Sequence, residues 1–386
     1  MTGPIWKLFR GLLFVVAIMA TIVLGLFLAV SLAPVMLATR EAGPQYPDYG
    51  DVRRYDPARE GGHLLPNLNL LVQGEFPGHP VRFITNSKGF RDTREFDYEV
   101  PTGFTRIMFL GDSFVDGMRT DQEQTIGYLL EKFLEQNRPR NAGVQVLISG
   151  HNNPGDARYY FQEHGYRYNP TLVILGVTLG NDLLTDQTKM DLLLPVDAYL
   201  PPDGLDQWRD LEMRLRLYLA AKSFLFAQIV PPLLSRSSRR RRVDAADPLT
   251  SLCLFYRPTM KEGAKMFADF EAVLSGFNDL VTQHASRLLV VLFPDRMQVA
   301  PKDWKLLVRA YSLDRTKFDL NYPNRRILDF CGKSGIACMD LLPLLREAEQ
   351  RGEGPLYRSR GDMHLNETGQ ALAAQEIAKH LVGQKM

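Results

Sequence analysis

The sequence predicts an α/β protein: a doubly wound parallel sheet, preceded by a transmembrane helix and interrupted by a long insertion after the third strand. Three observations predict it. Short β-rich runs alternate with helical patterns after Gly103, an uncharged apolar stretch lies near the N-terminus, and a block from 185 to 258 breaks the alternation. Strands that alternate with helices imply a parallel sheet covered on both faces.

The first element is the apolar stretch. From Gly11 to Thr39 no residue is charged, and about 20 apolar helical residues cross a bilayer core. Lys7 and Arg10 flank its N-terminal side, which by the positive-inside rule leaves the tail in the cytoplasm and the rest of the chain outside. A core helix would show one polar face, and this stretch is apolar all round. A cleaved signal peptide is the competing reading. Its apolar core runs only about 7–15 residues, and the best small-residue site here, Ser31-Leu-Ala33, is followed by Pro34. The expectation is a single-pass inner-membrane protein with its folded part in the periplasm.

Residues 1–40 thus form the tail and anchor, and 41–103 an extended lead-in. Residues 40–75 are rich in Pro, Gly and Tyr without a sustained period. Within 80–96 the chain alternates briefly and turns at Asn86-Ser-Lys-Gly89, which predicts a small strand pair there.

The main domain occupies 104–386. Its predicted strands are Arg106–Leu110, Val144–Ile148, Thr171–Leu175, Leu288–Phe293 and Gly335–Met339. Helical patterns fall at Thr125–Gln136, Ala157–Gly165, Met260–His284, Asn324–Gly332 and Glu367–Val382. The insertion, 185–258, is far longer than an ordinary connection. It holds a predicted helix, Leu205–Val230, then Pro231-Pro232 and a basic run of Arg236, Arg239, Arg240, Arg241 and Arg242. In a tethered chain that run fits anionic lipid headgroups; a solvated loop beside a packed surface helix fits it equally.

Composition narrows the function. Lys plus Arg total 46 against 44 for Asp plus Glu, a net charge of +2, so no global field exists to hold nucleic acid. No P-loop is present. The three cysteines, Cys253, Cys331 and Cys338, have no metal-ligand spacing. Cys331 and Cys338 flank a Gly-Lys-Ser-Gly turn, and outside the cytoplasm both a disulfide and two free thiols remain open. No cofactor and no metal are expected.

The chemistry starts where the first strand ends, at Gly111-Asp-Ser113-Phe-Val-Asp-Gly117. A Gly-Asp-Ser tripeptide alone occurs by chance in roughly one chain in ten of this length. Its place matters more, because open α/β sheets bind ligands beyond the carboxyl ends of their strands. A serine hydroxyl needs a positioned base, and Asp362-Met-His364-Leu-Asn366 supplies one before the last helix, at the same edge. Asp362 would orient the imidazole and stabilise its cation, and Asn366 is a good N-cap for the helix. An oxyanion needs donors. The loops Gly150-His-Asn-Asn-Pro-Gly155 and Gly176-Val-Thr-Leu-Gly180-Asn181 emerge at this edge. They offer the Gly155 N–H and the Asn181 side chain beside the N–H of Ser113. His151 is either a substrate contact or a solvated side chain. A Gly-x-Ser-x-Gly elbow is absent.

This set of Gly-Asp-Ser, a second-loop glycine, Gly-Asn-Asp and a late Asp/His pair resembles the SGNH (GDSL-type) hydrolase family over about residues 104–384. The resemblance implies a flavodoxin-like sheet in order 2-1-3-4-5 and a metal-free enzyme. It assigns Ser113, Gly155, Asn181 and His364 to the four named positions. Asn86-Ser-Lys-Gly-Phe-Arg91 looks like the lead-in of anchored bacterial members. One departure stands out: the family spaces acid and base as Asp-x-x-His, and here they read Asp362-x-His364. The resemblance implies cleavage of ester-linked acyl groups on an acylated glycan or lipid of the cell envelope. An O-acyltransferase using the same triad and a non-catalytic glycan-binding assembly protein are the alternatives. Oligomeric state is open.

Overall fold

The computed structural model describes residues 19, 53–54, 63–72, 80–137, 142–150, 153–180, 182–183, 254–256, 264–310, 313–358 and 363–384. The strands are β1 (Arg53–Arg54), β2 (His63–Leu64), β3 (Asn69–Val72), β4 (Val81–Ile84), β5 (Phe104–Leu110), β6 (Gly143–Ser149), β7 (Leu172–Thr178), β8 (Arg287–Phe293) and β9 (Ala337–Asp340). The α-helices are α1 (Ile126–Gln136), α2 (Pro154–Glu163), α3 (Ala264–Gln283), α4 (Arg296–Val299), α5 (Pro301–Ala310), α6 (Tyr322–Ser334), α7 (Leu342–Gln350) and α8 (Glu367–Gly383).

The last five strands form one parallel sheet in the order β6-β5-β7-β8-β9. Every residue of β7, LVILGVT, is buried, as a central strand covered on both faces requires. Alternation along β5 divides the core. Ile107 and Phe109 face a layer with Ile126, Leu130 and Leu134 of α1 and Ala373, Ile377 and Leu381 of α8. Met108 and Leu110 face the opposite layer, with Phe161 of α2, Phe270 and Leu274 of α3, and Ile327 of α6. Strands therefore run toward one edge of a three-layer sandwich, and the loops after β5, β6, β7 and β8 leave from that edge.

Three expectations need correction. The strand pair does not lie within 80–96. Val81–Ile84 pairs antiparallel with Asn69–Val72, and the Asn86 side chain closes the following turn by accepting from the N–H groups of Lys88 and Phe90 and donating to Arg94 O. β7 continues to Thr178, so Gly176-Val-Thr178 is strand rather than loop. The expectation of no helix between Phe293 and Asn324, or between Met339 and Glu367, also fails, since α4, α5 and α7 lie there. Pro301 opens α5 and Pro343 lies in the first turn of α7, positions where proline starts a helix rather than breaking it.

Among the described residues no helix is long and apolar enough to cross a membrane. The predicted anchor lies outside the described residues except for Met19. The helix Leu205–Val230, the arginines 236 and 239–242, and Cys253 lie outside them as well. The end of the insertion is described: Leu254, Phe255 and Tyr256 are buried, and Tyr256 bridges to Phe318. Cys331 and Cys338 are both free thiols. They hydrogen-bond to each other, which together with burial pushes the Cys338 thiol well above its usual range.

Candidate active site

Two segments far apart in the chain meet at the carboxyl edge of the sheet. Ser113 lies just beyond β5, in a turn held by Asp112. The Asp112 Oδ1 accepts from Phe114 N–H at 2.9 Å and from the Thr178 hydroxyl at 3.1 Å, so the end of β7 fixes the turn after β5. Gly111 has no room for a side chain, because a Cβ there would overlap Val115 and approach Gly176 O within 3.1 Å.

His364 comes from the other end. Its backbone carbonyl accepts from Arg358 N–H at 2.9 Å, Asn366 N–H donates to Leu356 O at 2.9 Å, and Tyr357 bridges Leu365. A short antiparallel clasp thus fixes the histidine before α8 begins. Asn366 caps α8, its Oδ1 accepting from Gly369 N–H at 3.0 Å, which meets the expectation for that residue. The outcome is a Ser113 Oγ to His364 Nε2 distance of 2.7 Å. Phe114 lies beside the imidazole, ring centroids 5.1 Å apart, and Ser113 is 9% exposed. A hydroxyl bonded to an imidazole nitrogen at this distance can pass its proton to it, which is the geometry an activated nucleophile needs.

The remaining predicted residues divide in two. Gly155 occupies the first turn of α2, just after the N-cap Asn153, whose side chain accepts from Asp156 N–H at 2.9 Å. Gly155 is exposed, so its N–H belongs to the orphan donors of a helix start. Asn181 and Asp362 lie outside the described residues, as does His151. Their neighbours are described. Asp182 Oδ2 accepts from Thr178 N–H at 2.7 Å. A Cβ on Gly180 would stand 2.8 Å from the Asp295 carboxylate and 2.9 Å from Met363. Gly180 therefore lies against the Asp295 carboxylate and the side chain of Met363, the residue before His364.

Sequence reasoning missed three buried polar residues that brace the segments bearing the pair. Arg91, fully buried, donates to Asp116 O, Gly117 O and Thr120 O and stacks over Phe83 at 4.2 Å. It gathers the carbonyls that close the serine turn. Arg358 Nη2 donates to Thr120 Oγ1 at 2.6 Å and to Glu367 at 2.8 Å. The Tyr357 hydroxyl donates to Pro294 O at 2.9 Å, and complete burial pushes its pKa well up. The Asn86–Arg91 segment was the only signal pointing to any of these.

Comparison with known proteins adds a family. Residues 254–386 match the family described as the SGNH hydrolase-like domain of the acetyltransferase AlgX. This region is similar to an SGNH hydrolase-like domain. It includes His364, the clasp that holds it and α8, while Ser113 lies before it in the chain. The chain is also similar to three solved structures. One is an acetyl xylan esterase (13% identity, TM-score 0.39, 72% of this chain and 99% of that chain). The second is a catalytic mutant of an acetylxylan esterase from Geobacillus stearothermophilus (13%, 0.39, 72% and 94%). The third is an alpha/beta hydrolase enzyme from the metagenome of Lake Arreo, Spain (13%, 0.40, 73% and 97%). A search of curated proteins found no match. The five-stranded parallel sheet brings Ser113, before the matched region, and His364, within it, to one edge.

Proposed function

We propose that the chain is a membrane-anchored serine enzyme of the periplasm that cleaves ester-linked acyl groups from a cell-envelope glycan or lipid. The observation that carries this reading is the 2.7 Å bond between Ser113 Oγ and His364 Nε2. In the proposed reaction Ser113 Oγ attacks the ester carbonyl as His364 takes its proton. The C–O bond to the alcohol then breaks as His364 returns the proton to the leaving oxygen. Water next attacks the acyl-serine by the same route, releasing the carboxylic acid. The N–H groups of Ser113 and Gly155 and the Asn181 side chain stabilise the oxyanion, and Asp362 orients the imidazole. The uncharged stretch Gly11–Thr39 supports the part of this reading that sets the enzyme beside the membrane.

A second reading has a specific support. The match to the domain of an acetyltransferase favours transfer of the acyl group to a glycan hydroxyl in place of water. Both versions share the acyl-serine and differ only in the acceptor. The experiment is to incubate the full-length chain in detergent with an acetylated envelope polysaccharide and measure free acetate beside acetyl transferred to an unacetylated glycan. Free acetate that disappears in Ser113→Ala supports hydrolysis, and transfer that disappears supports the second version. Neither product with a folded protein removes both.

A further inference from the structure

The imidazole and the hydroxyl of the site belong to segments that share no strand or helix, so something must set their separation. The clasp of residues 356–358 fixes His364 to the start of α8, and Gly369 permits it, because a Cβ there would overlap Leu356 O. Besides Arg358, which bonds both Thr120 and Glu367, one buried side chain ties α8 directly to the serine turn. Gln370, in the second turn of α8 and 1% exposed, donates from Nε2 to Phe114 O at 3.3 Å and accepts at Oε1 from Ile126 N–H at 2.8 Å. Phe114 is the residue after the nucleophile. Ile126 is the first residue of α1, whose N-cap Thr125 makes no side-chain cap bond. A single buried amide thus caps α1 and ties the histidine-bearing helix to the serine turn.

We propose that Gln370 is a positioning residue that sets the Ser113–His364 distance through its bond to Phe114 O, and that the reaction depends on it although it touches no substrate. The proposal rests on the serine-enzyme reading above for its kinetic consequence and on geometry alone for the rest. A purely structural role for Gln370, as the cap of α1, would change stability and leave the pair intact. Displacement of a reacting group by about 1 Å can slow a reaction about a hundredfold, so the two roles separate experimentally.

The test compares the full-length chain with Q370M, which keeps the volume and makes neither bond. Q370E keeps the acceptor for Ile126 N–H and, when ionised, loses the donor to Phe114 O. L381A supplies a stability control at the far end of the same helix. Each folded protein is assayed for its rate of fluorophosphonate labelling at Ser113 and for the imidazole resonances of His364 by NMR. The expected result is a fall of about tenfold or more in labelling by Q370M and Q370E with shifted His364 resonances, while L381A matches the wild type in both. Labelling by both Gln370 variants within about twofold of wild type, with His364 unmoved, overturns the proposal. A wild type that does not label at all defeats the serine-enzyme reading instead, and the His364 resonances still decide the role of Gln370. If Q370M does not fold, Q370E carries the comparison.

Discussion

The guanidinium of Arg358 donates to the hydroxyl of Thr120 at 2.6 Å, joining residues 238 positions apart. Arg91 reaches the carbonyl of the same threonine from the other side. Thr120 is therefore the point where the lead-in, the serine turn and the histidine clasp are pinned together. Both arginines are shielded from water, at 0% and 1% exposure, so their bonds are charge-assisted and cannot be replaced by solvent without opening the site.

Arg358→Ala removes bonds to Thr120 and Glu367. Charge-assisted hydrogen bonds contribute about 1.5–3 kcal/mol each, less where the partner is solvated, and Glu367 is 41% exposed. A loss of about 2–3 kcal/mol is expected, read from the denaturant midpoint with an unchanged m-value.

Arg91→Ala should be worse, because three carbonyls of the serine turn lose their common donor. We expect about 3 kcal/mol or more of lost stability. The protein that stays folded should label poorly at Ser113, since the turn is no longer gathered. Arg91→Lys, with one ammonium in place of the fork, should recover only part of this. Equal labelling by Arg91→Ala and wild type would show that the turn holds its shape without the lead-in.

Gly150→Ala tests the packing behind the same turn. A Cβ at position 150 would overlap the side chain of Asp116, which is fully buried. Overpacking of this kind costs about 1–3 kcal/mol. Gly155→Ala meets only Asn153 Oδ1, at 3.2 Å, and should fold normally. Thermal unfolding of the two variants side by side distinguishes them.

Stability should fall steeply in alkali. Burial pushes the phenols of Tyr160 and Tyr357 well above their ordinary range. Both hold their protons in the folded state while the unfolded chain loses them above about pH 10. Stability from these groups is thus complete below pH 10 and is lost as pH rises beyond it, because the unfolded state then binds fewer protons than the native state. The part of the tyrosinate absorbance that Tyr160→Phe and Tyr357→Phe remove should rise only together with the loss of helical circular dichroism. That part rising before any unfolding would contradict it.

The parts of this fold that were legible share a cause. The alternation of β5 and the unbroken apolar runs of β7 and β8 are local patterns, and each carries its face assignment with it. Ser113 and His364 were legible because one follows the first strand of the main sheet and the other precedes the last helix, which brings both to the same edge. The misread elements fail for reasons just as physical. Val81–Ile84 pairs backward with a strand in the lead-in, where Asn69–Val72 is short and mostly exposed or half-buried and gives little pattern. Pro301 and Pro343 stand in the first turns of α5 and α7, where a proline's fixed φ starts a helix that its sequence pattern does not announce. Arg91, Arg358 and Gln370 look like surface residues in one dimension. Their bonds to the serine turn reach partners 25 to 256 positions away, which no spacing rule reaches.

The measurement closest to the central claim is the mapping of a fluorophosphonate adduct by mass spectrometry on the full-length chain, beside Ser113→Ala and His364→Ala. The account predicts an adduct on Ser113 in the wild type. It predicts none in Ser113→Ala, and a labelling rate lower by about a thousandfold in His364→Ala. A wild-type protein that is folded and takes no adduct at Ser113, or that labels equally well without His364, would contradict it.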